Sequence, residues 1–142
     1  MKWLSTVGAR WLFGMFILCL AALNPVAAQN FKSGSFTTSD GVKLNYLELL
    51  DNNVGPRGCL ALGHALAKGG NVSLLTLNLD YNSQIGTLGV QNLCRGLRSN
   101  YSLRNLSMQY CRIDSEAGPA LADVLSSAKS AMESITLNGN RL

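Results

Sequence analysis

Few residues in this chain could do chemistry, and their spacing limits what they can do. His64 is the sole histidine and stands in Gly63-His64-Ala65-Leu66-Ala67-Lys68-Gly69-Gly70, where alanine occupies the position that a G-x-S-x-G nucleophile needs. Without that nucleophile there is no acyl transfer, and no partner is placed by the sequence to make His64 a general base. Cys59, Cys94 and Cys111, with Cys19 nearer the start, form no C-x-x-C pair and outline neither a zinc site nor a disulfide framework. Paired carboxylates, a phosphate-binding glycine loop and a metal-ligand cluster are likewise missing from the pattern. The sequence predicts no catalytic residue, no cofactor and no metal. Residues suited to binding remain, above all Tyr81 and Tyr110, whose side chains present a large rigid area and a polar tip.

The elements that must position them are written in a leucine ladder. Its copies begin Leu44-Asn45-Tyr46-Leu47-Glu48-Leu49, Leu74-Leu75-Thr76-Leu77-Asn78-Leu79, Leu103-Arg104-Asn105-Leu106-Ser107-Met108 and Met132-Glu133-Ser134-Ile135-Thr136-Leu137. Each is followed by Asn52, Asn82, Cys111 or Asn140, spaced 30, 29 and 29 residues apart. Beyond these come Val54, Ile85 and Ile113, then Leu62, Leu93 and Leu121 eight residues later, then Leu66, Leu97 and Leu125 after four more. The last spacing is helical, because residues four apart share one face of an α-helix. Gly58, Gly89 and Gly118 open the helical half. Each unit therefore reads strand, turn, helix, loop. The second unit has one extra residue between Asn82 and Ile85, read as a bulge at Ser83-Gln84.

A ladder of L-x-x-L-x-L-x-x-(N/C) at this period resembles leucine-rich repeats. Phrases such as Asn52-Asn53-Val54-Gly55-Pro56-Arg57-Gly58 and Ile85-Gly86-Thr87-Leu88-Gly89 resemble the ribonuclease-inhibitor type, over Leu44 to Leu142. The resemblance implies an α/β leucine-rich-repeat solenoid with a parallel sheet on its concave face, here three full units and the start of a fourth. Physically, no unit can bury its apolar face alone, whereas stacked neighbours can, and about three are needed. Leu74, Leu77 and Leu79 should point inward, Asn82 should bond the turn backbone, and the last strand should expose an apolar edge.

Strand alternation then names a surface. Side chains between the inward leucines face outward, and stacking aligns Glu48, Asn78, Ser107 and Thr136 in one row. Leu50, Asp80, Gln109 and Asn138 make the next, and Asp51, Tyr81, Tyr110 and Gly139 a third. The expected partner-binding residues are Glu48, Asn78, Asp80, Tyr81, Ser107, Gln109, Tyr110 and Asn138. Leucine-rich repeats serve unrelated partners through such residues, so the resemblance implies a protein partner without naming it.

Residues 1–28 read as a secretory leader. Lys2 and Arg10 precede or open an apolar run, Trp11 to Leu23, which ends in Asn24-Pro25-Val26-Ala27-Ala28. The run has 13 residues, too short for the roughly 20 that a membrane span needs, so no membrane association is expected after cleavage. Removal of the leader leaves ten basic against eight acidic residues, a net charge of +2. Arg95, Arg98, Arg104 and Arg112 fall on different elements, and no nucleic-acid partner is expected. The unpaired cysteines fit a reducing cytosol better than the exterior, against the leader. Between leader and repeats, residues 29–43 read as a hairpin that either caps the first repeat or opens another fold, since Phe36 to Glu48 resembles the opening hairpin of secreted α/β-hydrolases. Asn71, Asn100 and Asn105 each begin an N-x-S sequon. Taken together, the expectation is a non-catalytic, secreted module that binds a protein through its concave strands. The alternatives are an intracellular regulatory scaffold whose leader is misread, and a truncated secreted hydrolase-like chimaera without a catalytic site.

Overall fold

The structure, a computed structural model, describes residues 45–67 and 73–142. The leader, the 29–43 hairpin, Leu44, Lys68 and the Asn71 sequon lie outside the described residues. Four short strands, β1 (Tyr46–Glu48), β2 (Thr76–Asn78), β3 (Asn105–Ser107) and β4 (Ser134–Thr136), form one parallel sheet in chain order. Helices α1 (Pro56–Leu66), α2 (Gly86–Leu97) and α3 (Gly118–Ser126) connect them, the last preceded by a 3-10 turn at Ser115–Ala117. The register is that of the ladder: Leu47, Leu77, Leu106 and Ile135 stand side by side, as do Glu48, Asn78, Ser107 and Thr136.

The core lies between sheet and helices. Leu47, Leu77 and Leu106 from the strands meet Leu62, Leu93 and Leu121 from the helices, all buried. The residues that close each turn, Val54, Ile85 and Ile113, are buried with them. Parallel strands need a crossover of a dozen or more residues, and the helices supply it. This is the α/β leucine-rich-repeat solenoid that the periodicity predicts.

Asparagine fixes the turns in a directional way. Asn82 Oδ1 accepts the amides of Asn52 and Val54, each at 2.9 Å, in the preceding unit. Its Nδ2 donates to Leu49 O and Leu79 O, both at 2.8 Å. Asn140 repeats the arrangement, accepting from Cys111 N and Ile113 N and donating to Met108 O and Leu137 O. Cys111 offers only a thiol, a single donor with Leu79 O and Gln109 O in reach at 3.2 and 3.3 Å. The unit before it closes differently. Ile85 N bonds Asn82 O within its own turn, and Gly86, at φ +54°, sends its N–H to Cys111 O. The extra residue at Ser83-Gln84 therefore accompanies the one turn whose successor lacks an asparagine oxygen.

Gly118 opens α3 as expected, although the buried small residue at the register of Gly58 and Gly89 is Ala117 and Gly118 has open space where a Cβ would stand. One expectation for the helices needs correction. Leu125 is 58% exposed, although Leu66 and Leu97 at its register are buried. Leu66 and Leu97 each lie under the next helix, and among the described residues none follows α3; Val124 fills the inward position instead. Near the same end Ile135 and Leu137 are half-buried and Leu142 is exposed.

Candidate functional site

Hydrogen bonding between neighbouring units continues past the short strands and carries the outward rows across the whole sheet. Asp51 N bonds Asp80 O, Tyr81 N bonds Gln109 O and Tyr110 N bonds Asn138 O, so the last two rows stay in register past the strand ends. All eight expected residues therefore sit on the open face of the sheet or its rim, but in three different conditions.

Asp80 is committed to structure. It is only 6% exposed; its Oδ1 accepts from Ser107 Oγ and Gln109 N at 2.7 Å each, and its Oδ2 from Gln109 Nε2 at 3.1 Å. That clamp ties the β2 unit to the β3 unit and holds Ser107 and Gln109, both half-buried, in place. Asn78 is also half-buried, its Oδ1 accepting Asp80 N at 2.9 Å. Glu48 and Asn138 are open to solvent. Tyr46 belongs beside them and escaped the sequence reading, although it stands two residues before Glu48 on the same alternation. Its hydroxyl donates to Glu48 Oε2 at 2.7 Å, and this bond is the main reason that its pKa is raised.

Tyr81 and Tyr110 form the third condition. Their rings stack with centroids 5.0 Å apart and planes 12° from parallel, and they are 54% and 50% exposed. Both occupy the left-handed region, at φ 59° and 54°. Asp51 and Gly139 in the same row do so too, at 50° and 72°. The turn dictates this conformation, and glycine alone adopts it without steric cost. At Gly139 the missing side chain is filled: a Cβ there would stand 2.4 Å from the Tyr110 ring, so the ring lies directly on the glycine.

Among the remaining chemistry-bearing residues, the cysteines are explained by packing. Cys59, Cys94 and Cys111 are buried free thiols, and burial pushes the first two up to about 12 and the third to about 11. His64 is exposed on α1. Among the described residues no group of three or more His, Cys, Asp or Glu is arranged to hold a metal ion. Arg98 pairs with Asp123 and Arg104 with Glu133 at exposed sites, while Arg95 and Arg112 stand apart from them. Asn100 is 4% exposed; its Nδ2 donates to Leu66 O at the end of α1 and its Oδ1 accepts Leu103 N, both at 2.7 Å. That sequon is an internal brace in the folded chain. Asn105 is exposed on β3.

Residues 42–63 and 70–94 match the family model described as Leucine Rich repeat. The chain carries a leucine-rich-repeat segment. The two matches cover the units built on β1 and β2, and β3 and β4 continue the leucine-rich-repeat geometry in register. Comparison with curated proteins finds no match. Of the phrase that resembles a hydrolase opening, the described part includes Tyr46–Glu48, which is the first strand of the repeat sheet. Leucine-rich repeats suggest a protein-binding module.

Proposed function

We propose that this chain is a secreted, non-catalytic leucine-rich-repeat module that binds a protein through the concave, open face of its sheet. The stacked Tyr81–Tyr110 pair on the rim carries this reading. Two tyrosines hold left-handed backbone conformations, which cost roughly 1–2 kcal/mol each relative to the usual regions, and their rings remain half exposed. The turn imposes that conformation on the whole row, and at these two places it carries a preformed, stacked aromatic surface ready to desolvate against a partner. Rigid exposed tyrosines are favoured anchors because little side-chain entropy is lost on binding. Glu48, Ser107, Gln109 and Asn138 supply polar contacts around them. Secretion is supported by the order of charge, apolar core and small residues in residues 1–28.

The test begins with a partner captured on the immobilised chain and then measured at equilibrium. Replacing Tyr81 and Tyr110 together with alanine is expected to weaken binding by more than about 2 kcal/mol. Replacing Arg95 and Lys129 on the helical side should change it little. Affinity that follows the arginine and lysine while ignoring the tyrosines moves the site to the helical face and defeats the proposal. Amino-terminal sequencing of chain from the native host is expected to begin at about Gln29, and an intact Met1 on soluble cytosolic protein removes the secretory part.

A further inference from the structure

The aromatic stack has one closed end and one open end. Toward β4, the ring of Tyr110 lies on Gly139, whose Cβ would collide with it. Between the repeats, Tyr81 and Tyr110 cover one another at 5.0 Å. Toward β1, the next place in the row belongs to Asp51, in the same left-handed conformation and exposed, with a side chain too short to continue the stack. The Tyr81 ring, 54% exposed, thus has no aromatic neighbour on that side in its row, and a carboxylate stands one repeat step away. That step is about 4.8 Å between neighbouring strands, inside the roughly 6 Å over which a cation interacts with an aromatic face.

The charge on the outward rows has one sign. The four outward rows, from Tyr46 and its neighbours to Asp51 and its neighbours, carry Glu48, Asp51 and Asp80 and not one Lys, Arg or His, although the chain as a whole has a net charge of +4. Asp80 is buried and satisfied by Ser107 and Gln109, and Glu48 accepts only the Tyr46 hydroxyl in the hydrogen bonds described. Among the described residues, neither Glu48 nor Asp51 takes part in a salt bridge, the ion pairs being Arg98–Asp123 and Arg104–Glu133. The open face is therefore acidic beside its aromatic anchor.

We propose that the free face of Tyr81 and the carboxylate of Asp51 form a seat for an arginine side chain of the partner protein. The inference rests on the reading of the sheet face as a protein-binding surface and adds the chemistry of what it reads. A guanidinium is flat and can lie on the ring as the next layer of the stack, while its edge donates to a carboxylate in paired hydrogen bonds. A lysine ammonium can meet the same carboxylate but has no plane to stack and is more strongly hydrated. Glu48 lies on the row behind and adds long-range attraction for a basic segment.

The seat is tested by titrating the full chain with a short Gly-Ser peptide containing one central arginine, and with its lysine and citrulline counterparts, followed by NMR of the tyrosine rings. The arginine peptide is expected to shift the Tyr81 ring and the Asp51 amide, and to bind at least about fivefold tighter than the lysine peptide. Asp51→Asn and Tyr81→Leu should each abolish that preference, while Tyr81→Phe should keep it, with unchanged circular dichroism reporting an intact fold. Equal binding of arginine and lysine, or of arginine and citrulline, overturns the seat. If Tyr81 and Tyr110 govern the affinity of a captured partner but Asp51→Asn has no effect and no arginine preference exists, the seat falls and the protein-binding surface stands. If the arginine peptide perturbs Tyr81 while a captured partner ignores both tyrosines, the seat is supported and the wider reading falls.

Discussion

At the scale of single residues, neighbouring side chains on one strand have opposite duties. Leu77 is fully buried between Leu47 and Leu106, so Leu77→Ala removes a stacked core residue and is expected to cost roughly 2–5 kcal/mol in denaturant melts. Alternation alone puts Asn78 on the outside and makes its replacement nearly free. Its Oδ1 in fact accepts the amide of the buried Asp80, so Asn78→Ala should cost about 1 kcal/mol. Equal losses for the two variants contradict the strand register. The same pair marks what the sequence conceals. Period-two alternation distinguishes inward from outward, but it does not say that an outward carboxylate such as Asp80 will be closed over by Ser107 and Gln109 from the next repeat. Nor does it show that Tyr81 and Tyr110 reach the left-handed region, since Asp51 and Gly139 share that conformation with no residue type in common.

Helices and their spacing set the next level. The α1 and α2 pair is brought close by glycine: a Cβ on Gly96 would stand 1.8 Å from the Gly63 carbonyl oxygen, and one on Gly63 would stand 2.9 Å from Asn92 O. Backbone cannot yield as a side-chain tip can, so Gly96→Ala should force the helices apart and destabilise the fold by about 1–3 kcal/mol despite the better helix propensity of alanine. A chemical melt that shows Gly96→Ala to be neutral or stabilising removes the close-approach argument. Helix faces at Leu62, Leu66, Leu93 and Leu97 were legible from four-residue spacing because each has a following helix to bury it. Leu125 satisfies the same spacing and is exposed, since periodicity marks a face without showing what lies against it. Gly118 opens α3 as its place in the repeat suggests, while the buried small position at the register of Gly58 and Gly89 is filled by Ala117, which carries no such signal.

For the whole molecule, the fixed period was the most readable property, and strand order, parallel pairing and the solenoid all follow from it. Its interior also sets a pH limit. Burial raises the thiols of Cys59 and Cys94 from an ordinary 9.0 to about 12, and that of Cys111 to about 11. A thiol that holds its proton more tightly in the fold than in the unfolded chain stabilises the fold fully below the unfolded pKa, and that contribution is lost as pH rises toward the folded value. Stability should therefore fall between about pH 9 and pH 12, and Cys→Ser or Cys→Ala variants, compared with their own values at pH 7, should fall less steeply over the same window. A denaturation midpoint that is flat across that range in the parent chain contradicts the burial of the thiols. The asparagine ladder has a different kind of consequence. Asn82 serves the turn amides of Asn52 and Val54, 30 and 28 residues earlier, and Asn140 those of Cys111 and Ile113, 29 and 27 residues earlier. Each turn is thus completed by a side chain that lies nearly one unit further along the chain. On the growing chain those two bends keep unpaired amides until nearly one more unit has left the exit tunnel, and a chain cut just before either asparagine ends in an unlatched turn.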